Sequence, residues 1–171
     1  MRALNLKEFN SLPRDSAIEV LTHCCGASRW VEKMESLRPF KDRKQITEKS
    51  QSVWNELDEK DWQEAFTHHP KIGDIESLKK KFATTRAWAE QEQRGSAEAS
   101  VSVLQALALG NQTYENRFGY IFIVCATGKT AEEMLSLLES RLPNDPALEI
   151  KIAAAEQAKI TKLRLEKLIY E

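Results

Sequence analysis

The sequence predicts an all-α fold, a compact single-domain bundle of about seven to eight helices with no sheet. Apolar residues recur at helical spacing along most of its 171 residues. Six glycines and five prolines are too few for a turn-rich β architecture. Only "YIFIVCATG", Tyr120 to Gly128, reads as a strand, and no second candidate exists to pair with it.

The first helix is read over Pro13 to Cys25, where Pro13 suits a first turn, Asp15 and Ser16 offer capping oxygens, and Ala17, Val20, Leu21 and Cys24 share a face before Gly26. Ser28 opens a short helix with Trp30, Met34 and Leu37 on one side, closed by Pro39. From Asp42 the run places Ile46, Val53, Trp54 and Leu57 inward, and "DEKDWQEAFTHH" then sets Trp62 one turn before Phe66. Pro70 biases His69 away from helical dihedrals, so this helix ends at the histidines. Leu78 to about Arg94 reads as a helix closed by Gly95, and Ser96 to Gly119 as a long one rich in alanine and leucine.

"YIFIVCATG" is then either a buried extended stretch or the first turns of a buried helix, with backbone groups partly available to a ligand. "KTAEEMLSLLESRL" carries Met134, Leu137, Leu138 and Arg141 at helical spacing and is broken by Pro143, Asn144 and Pro146. A final helix from about Ala147 to Ile169 completes the domain, which spans residues 1–171.

Twenty-five basic residues against 26 acidic ones give a net charge of −1 with the signs interspersed, so no field favours nucleic acid or anionic lipid. Lys79-Lys80-Lys81 reads as a solvated helix face rather than a phosphate clamp. The three cysteines, two adjacent as Cys24-Cys25, fit neither a disulfide framework nor a spaced metal motif and read as reduced core thiols of a cytosolic protein. The segment "MRALNLKEFNSLPRDS" has no apolar h-region, no run reaches the roughly 18 apolar residues of a membrane span, and "LIYE" is not a peroxisomal ending, so a cytoplasmic location is expected.

Three places can carry chemistry. In "FTHHPKIGD" an imidazole can move a proton near neutrality, and neighbouring side chains at a helix end diverge by about 100°. His69, fixed beside Pro70, is the directed one and His68 its structural neighbour; the competing reading is a capping histidine. In "RAWAEQEQRG" a helix puts Ala87, Glu90, Gln91 and Arg94 on one stripe, where carboxylate and amide suit urea-like groups unless Glu90 is simply solvated. In the last helix Ile160, Arg164 and Leu168 are spaced i, i+4, i+8, so Arg164 either snorkels to the rim or holds an anion. No zinc-like spacing links the histidines.

The ordered motifs "HHPKIGD", "AWAEQEQRG", "NQTYENRFGYIFIVCATGKTAEEML" and "EQAKITKLRLEKL" resemble those of the OHCU decarboxylases, which convert 2-oxo-4-hydroxy-4-carboxy-5-ureidoimidazoline to (S)-allantoin. The resemblance spans about Thr67 to Leu168. It implies an all-helical, homodimeric enzyme of urate degradation without metal or organic cofactor, whose only other partner is its small-molecule substrate. His69, Glu90 and Arg164 match the family's catalytic positions. Pro70, the stripe Ala87, Trp88, Ala89 and Gln91, and the stretch Phe122, Ile123, Val124, Cys125 and Ala126 match its substrate contacts, the last acting largely through backbone groups. Ala87 stands where the family has serine, and Glu92-Gln93 repeats the Glu90-Gln91 pair; Gly95, five residues after Glu90, favours the earlier one. The alternatives are a non-catalytic helical interaction domain, or a lyase or hydrolase acting on another ureido acid.

Overall fold

The computed structural model describes residues 2–70, 75–82 and 97–170. In chain order its elements are β1 (Leu4–Asn5), α1 (Leu6–Ser11), α2 (Arg14–Cys24), α3 (Ser28–Ser36), α4 (Arg43–Asn55), α5 (Glu59–Thr67), α6 (Ile75–Phe82), α7 (Ala97–Phe118), α8 (Ala131–Arg141), α9 (Pro146–Leu168) and β2 (Ile169–Tyr170). They fall into two compact units, Met1–His69 with Ala154–Glu171, and Pro70–Ala153.

In the first unit, capping oxygens start the helices where the sequence supplies them. Asp42 accepts from the Gln45 amide at 2.7 Å to open α4, and Asp58 accepts from the amides of Lys60 and Asp61 to open α5. The core is built on two tryptophans whose indole N–H groups both find acceptors. Buried Trp30 donates to the Ser50 carbonyl at 3.2 Å and Trp54 to the Ala154 carbonyl at 3.0 Å, so large apolar area is buried without orphaning a donor. Phe9, Leu21, Met34, Phe66 and Leu165 pack out of solvent in the same unit. Arg38 donates to the carbonyls of Phe9 and Leu12 at 2.8 and 3.0 Å, satisfying the end of α1.

The second unit packs α6, α7 and α8 around Leu78, Phe82, Leu104, Leu107, Tyr114, Met134 and Leu138. Helix α7 ends at Gly119, whose φ of +80° would strain an L side chain. The chain then runs without helix or strand through residues 120–126. A reciprocal capping box between Thr130 and Glu133 starts α8.

Most expected helices appear within a residue or two of their limits, and "YIFIVCATG" takes the extended alternative. The prediction of no sheet is corrected: β1 and β2 pair in parallel, Leu4 with Ile169 and Asn5 with Tyr170. Strands of two residues are too short to show a period, yet Leu4 and Ile169 are both buried. The number of helices is also corrected, to nine among the described residues. The addition is α1, which stands on two buried apolar residues, Leu6 and Phe9, and on a capping box in which Asn5 and Glu8 exchange hydrogen bonds at 2.9 and 3.0 Å. The expected continuation of α6 to Arg94 lies outside the described residues.

Candidate active site

The histidine pair sits where α5 stops. Ala65 and Phe66 are buried and fix the last turn, while the amides of His68 and His69 still donate to the carbonyls of Ala65 and Phe66, both at 3.2 Å. The two side chains then part. His69 is half-buried, and its Nε2 lies 2.6 Å from Oε1 of Gln157 on α9. Exposed His68 lines an open cleft of ≈ 720 Å³ with Glu19, Thr22, His23 and Arg164. A Cβ on Gly26 would come 2.2 Å from His68 Cγ, so the ring lies there only because position 26 has no side chain.

Arg164 is half-buried on α9, with Nη1 3.4 and 3.5 Å from the carbonyl oxygens of His23 and Cys24. These carbonyls close α2, whose C-terminal dipole favours a cation. The guanidinium is thus held at the cleft by long contacts. Gln157, Thr161 and Arg164 fall at i, i+4 and i+7 on one face of α9, so the residue holding His69 and the arginine are about 10 Å apart along the axis.

The two buried cysteines beside this face are chemically quiet. Burial pushes the Cys24 thiol up to about 12, against the opposing pull of Arg164, and the Cys25 thiol up to about 11. Both stay protonated at neutral pH and read as packing groups rather than nucleophiles.

In the second unit the stretch Phe122 to Ala126 has Ile123 and Cys125 buried and Phe122, Val124 and Ala126 half-buried. Three of its carbonyls accept hydrogen bonds within the unit. The Ile123 carbonyl accepts from Arg141 Nη1 at 2.8 Å, that of Cys125 from Lys129 Nζ at 2.9 Å, and that of Ala126 from the Lys129 amide at 3.1 Å. Arg141 is anchored in turn by fully buried Glu149, with Nε 2.7 Å from Oε1, and its guanidinium lies 4.6 Å from the Phe122 ring centroid. Tyr114 donates to the same carboxylate oxygen, and Asn144 donates to the other at 2.8 Å. Burial and then the Glu149 contact hold the Tyr114 phenol well above its usual range, so it remains a donor.

Of the expected site residues, His69, Pro70, Arg164 and the stretch Phe122 to Ala126 are described, with His69 and Arg164 in the same unit. Ala87, Trp88, Ala89, Glu90 and Gln91, and the rival pair Glu92 and Gln93, lie outside the described residues. Sequence reasoning missed Gln157 and the Arg141–Glu149–Tyr114 cluster. Signals for both were present: Gln157 is two turns before Arg164 on one face, and Arg141 stands in an apolar stripe as Arg164 does.

The family model for OHCU decarboxylase matches residues 10–166. The chain belongs to the OHCU decarboxylase family, a family of carboxy-lyases. The uric acid degradation bifunctional protein TTL of Arabidopsis thaliana is 39% identical over 145 residues, which make up 85% of this chain and 45% of that protein. The 2-oxo-4-hydroxy-4-carboxy-5-ureidoimidazoline decarboxylase of Amia calva is 28% identical over 172 residues, 97% of this chain and 95% of that one. A crystal structure of OHCU decarboxylase in the presence of (S)-allantoin is 40% identical with a TM-score of 0.68, covering 86% of this chain and 94% of that one. The chain spans from a third to under a half of the length of the bifunctional relatives it matches. No described helix is long and apolar enough to cross a membrane.

Proposed function

We propose that the protein is a cofactor-independent decarboxylase converting 2-oxo-4-hydroxy-4-carboxy-5-ureidoimidazoline to (S)-allantoin and CO2 in urate degradation, working as a single domain over residues 1–171 and as a cytoplasmic homodimer. The observation that carries this reading is the 40% identity to a structure of OHCU decarboxylase, across 94% of that chain.

In this reading Arg164, at its cleft, orients the substrate carboxylate. The bond from the carboxylate carbon to ring C4 breaks, its electron pair forms a C4=C5 double bond, and the pair of the former C5=N bond moves to nitrogen, which takes a proton. The resulting enol loses its hydroxyl proton and C5 gains one, giving the C4 carbonyl of allantoin; overall one proton is consumed. The substrate carries its own electron sink, so the step asks for no pyridoxal, thiamine or metal. His69 handles the proton transfers and supplies C5 from one face, which sets the S configuration. Glu90 fixes the imidazole or binds the hydroxyl and ureido groups, and by the family resemblance Pro70, Ala87 to Gln91 and Phe122 to Ala126 supply the other substrate contacts, the last largely through backbone groups.

The test is near-ultraviolet circular dichroism on substrate generated enzymatically from urate. Accelerated formation of optically pure (S)-allantoin is expected from the wild type, with His69→Asn slowing it at least about 100-fold, the scale of general acid–base catalysis. A wild type giving no acceleration and no enantiomeric excess would return the chain to a helical interaction domain. Full activity in His69→Asn would remove the histidine from the mechanism.

A further inference from the structure

Arg141 and Glu149 form a charged pair buried inside the second unit, where well-packed apolar side chains often serve stability as well or better. What no apolar side chain can do is donate a hydrogen bond, and this guanidinium divides its donors. Nε and Nη2 lie 2.7 and 2.5 Å from Glu149 Oε1, while Nη1 donates to the Ile123 carbonyl at 2.8 Å. Asn144, at 2.8 Å, and Tyr114 steady the carboxylate in turn. Arg141 therefore ties the last turn of α8 and the first turn of α9 to the Phe122–Ala126 stretch. In an extended chain successive residues turn their N–H and C=O to opposite edges, so residues i and i+2 share one. Ile123 and Cys125 both give their carbonyls to side-chain cations, Arg141 Nη1 and Lys129 Nζ. With that edge fixed, the N–H and C=O of Phe122 and Val124 turn to the other, and the hold on Ile123 between them sets their place.

We propose that Arg141 is a positioning residue of the decarboxylase: through the Ile123 carbonyl it sets the backbone of the Phe122–Ala126 stretch where that backbone meets substrate. The role in turnover rests on the decarboxylase reading, in which this stretch contacts the substrate; the hold on Ile123 does not. Binding contacts away from the breaking carboxylate bond act on substrate and transition state alike. Loosening them raises KM and leaves kcat nearly unchanged.

Arg141→Met alone strands the Glu149 charge and so mixes loss of fold with loss of position. Two other variants of the full chain separate them. Arg141→Lys keeps a cation beside Glu149, but a single ammonium nitrogen cannot stand at both the carboxylate and the Ile123 carbonyl. Arg141→Met/Glu149→Met removes both charges and with them the donor to Ile123. On substrate generated enzymatically from urate, both are expected to raise KM about tenfold, the scale of one or two neutral hydrogen bonds, with kcat within about twofold of the wild type. Amide hydrogen exchange read by mass spectrometry tests the hold without turnover: peptides covering residues 120–126 should exchange faster in both variants, and by a larger factor than those of α7. A wild-type KM in either folded variant overturns the proposal, as does a fall in kcat with KM unchanged, which is what a partly unfolded population gives. Exchange accelerated equally in α7 and in the stretch overturns it too, because Arg141 would then act on the unit as a whole. A wild type that does not decarboxylate the substrate removes the decarboxylase reading and the role of Arg141 in turnover with it; faster exchange confined to residues 120–126 would then leave the hold on Ile123 standing alone.

Discussion

Replacing Arg141 by methionine isolates the energetic role of the cluster behind the Phe122–Ala126 stretch. In the Arg141–Glu149 pair the side chains are 8% and 0% exposed, so solvent screens it little. Removing the guanidinium leaves the Glu149 carboxylate buried with Tyr114 and Asn144 as its donors among the described residues. Breaking such a pair costs about 3–5 kcal/mol, and an unsatisfied Ile123 carbonyl adds about 1–3 kcal/mol. The two surviving donors to Glu149 favour the low end, about 4 kcal/mol, or a fall in Tm of roughly 8–16 °C for a chain of this size. Urea titration followed by far-ultraviolet circular dichroism gives the free energy, and a thermal scan gives Tm. Adding Glu149→Met to the variant removes the stranded charge and is expected to recover at least half of the loss, because well-packed apolar replacements of buried pairs are often neutral or better. A single variant within about 1 kcal/mol of the wild type, or a double variant less stable than the single one, would refute this account.

Three further outcomes follow from other contacts. Gly26→Ala puts a Cβ where the His68 ring lies, so a loss of about 1–3 kcal/mol in thermal or urea unfolding is expected, or a displaced His68 signal by NMR. Arg164→Lys is expected to raise KM in the allantoin assay, since an ammonium cannot form a two-pronged carboxylate contact; unaltered Michaelis behaviour would place the guanidinium outside the substrate site. The thiols of Cys24 and Cys25 are raised in the fold to about 12 and about 11 from an ordinary value of 9.0. Their contribution to stability is therefore complete below pH 9 and is lost as pH rises towards 11–12, because the unfolded chain releases those protons first. Urea midpoints falling over that alkaline range, and falling less in Cys24→Ala/Cys25→Ala, would be the sign.

The end of α5 at the histidines was legible because each signal there is local: Trp62 and Phe66 one turn apart, and Pro70 after the pair. The extended stretch was legible as an apolar run, but its carbonyl partners were not, since Arg141 lies 18 positions from Ile123 in sequence. Periodicity placed Arg164 on the inner stripe of α9 and could equally have flagged Arg141 and Gln157. What it lacked was the acceptor each one meets, and Gln157 lies 88 positions from His69. Helix α1 and the β1–β2 ladder stayed hidden for a different reason, being shorter than one full repeat of the pattern that would announce them.

That ladder sets Leu4 beside Ile169, so the two ends of the described chain run side by side, with neighbouring strands about 4.8 Å apart. A few residues of linker would therefore join them, and the polypeptide could be opened afresh at an exposed turn such as the one at Thr127–Gly128. A circularly permuted chain made this way keeps the α5 end, α9 and the Arg141 cluster intact. By the same geometry the described chain is entered and left at nearly one point.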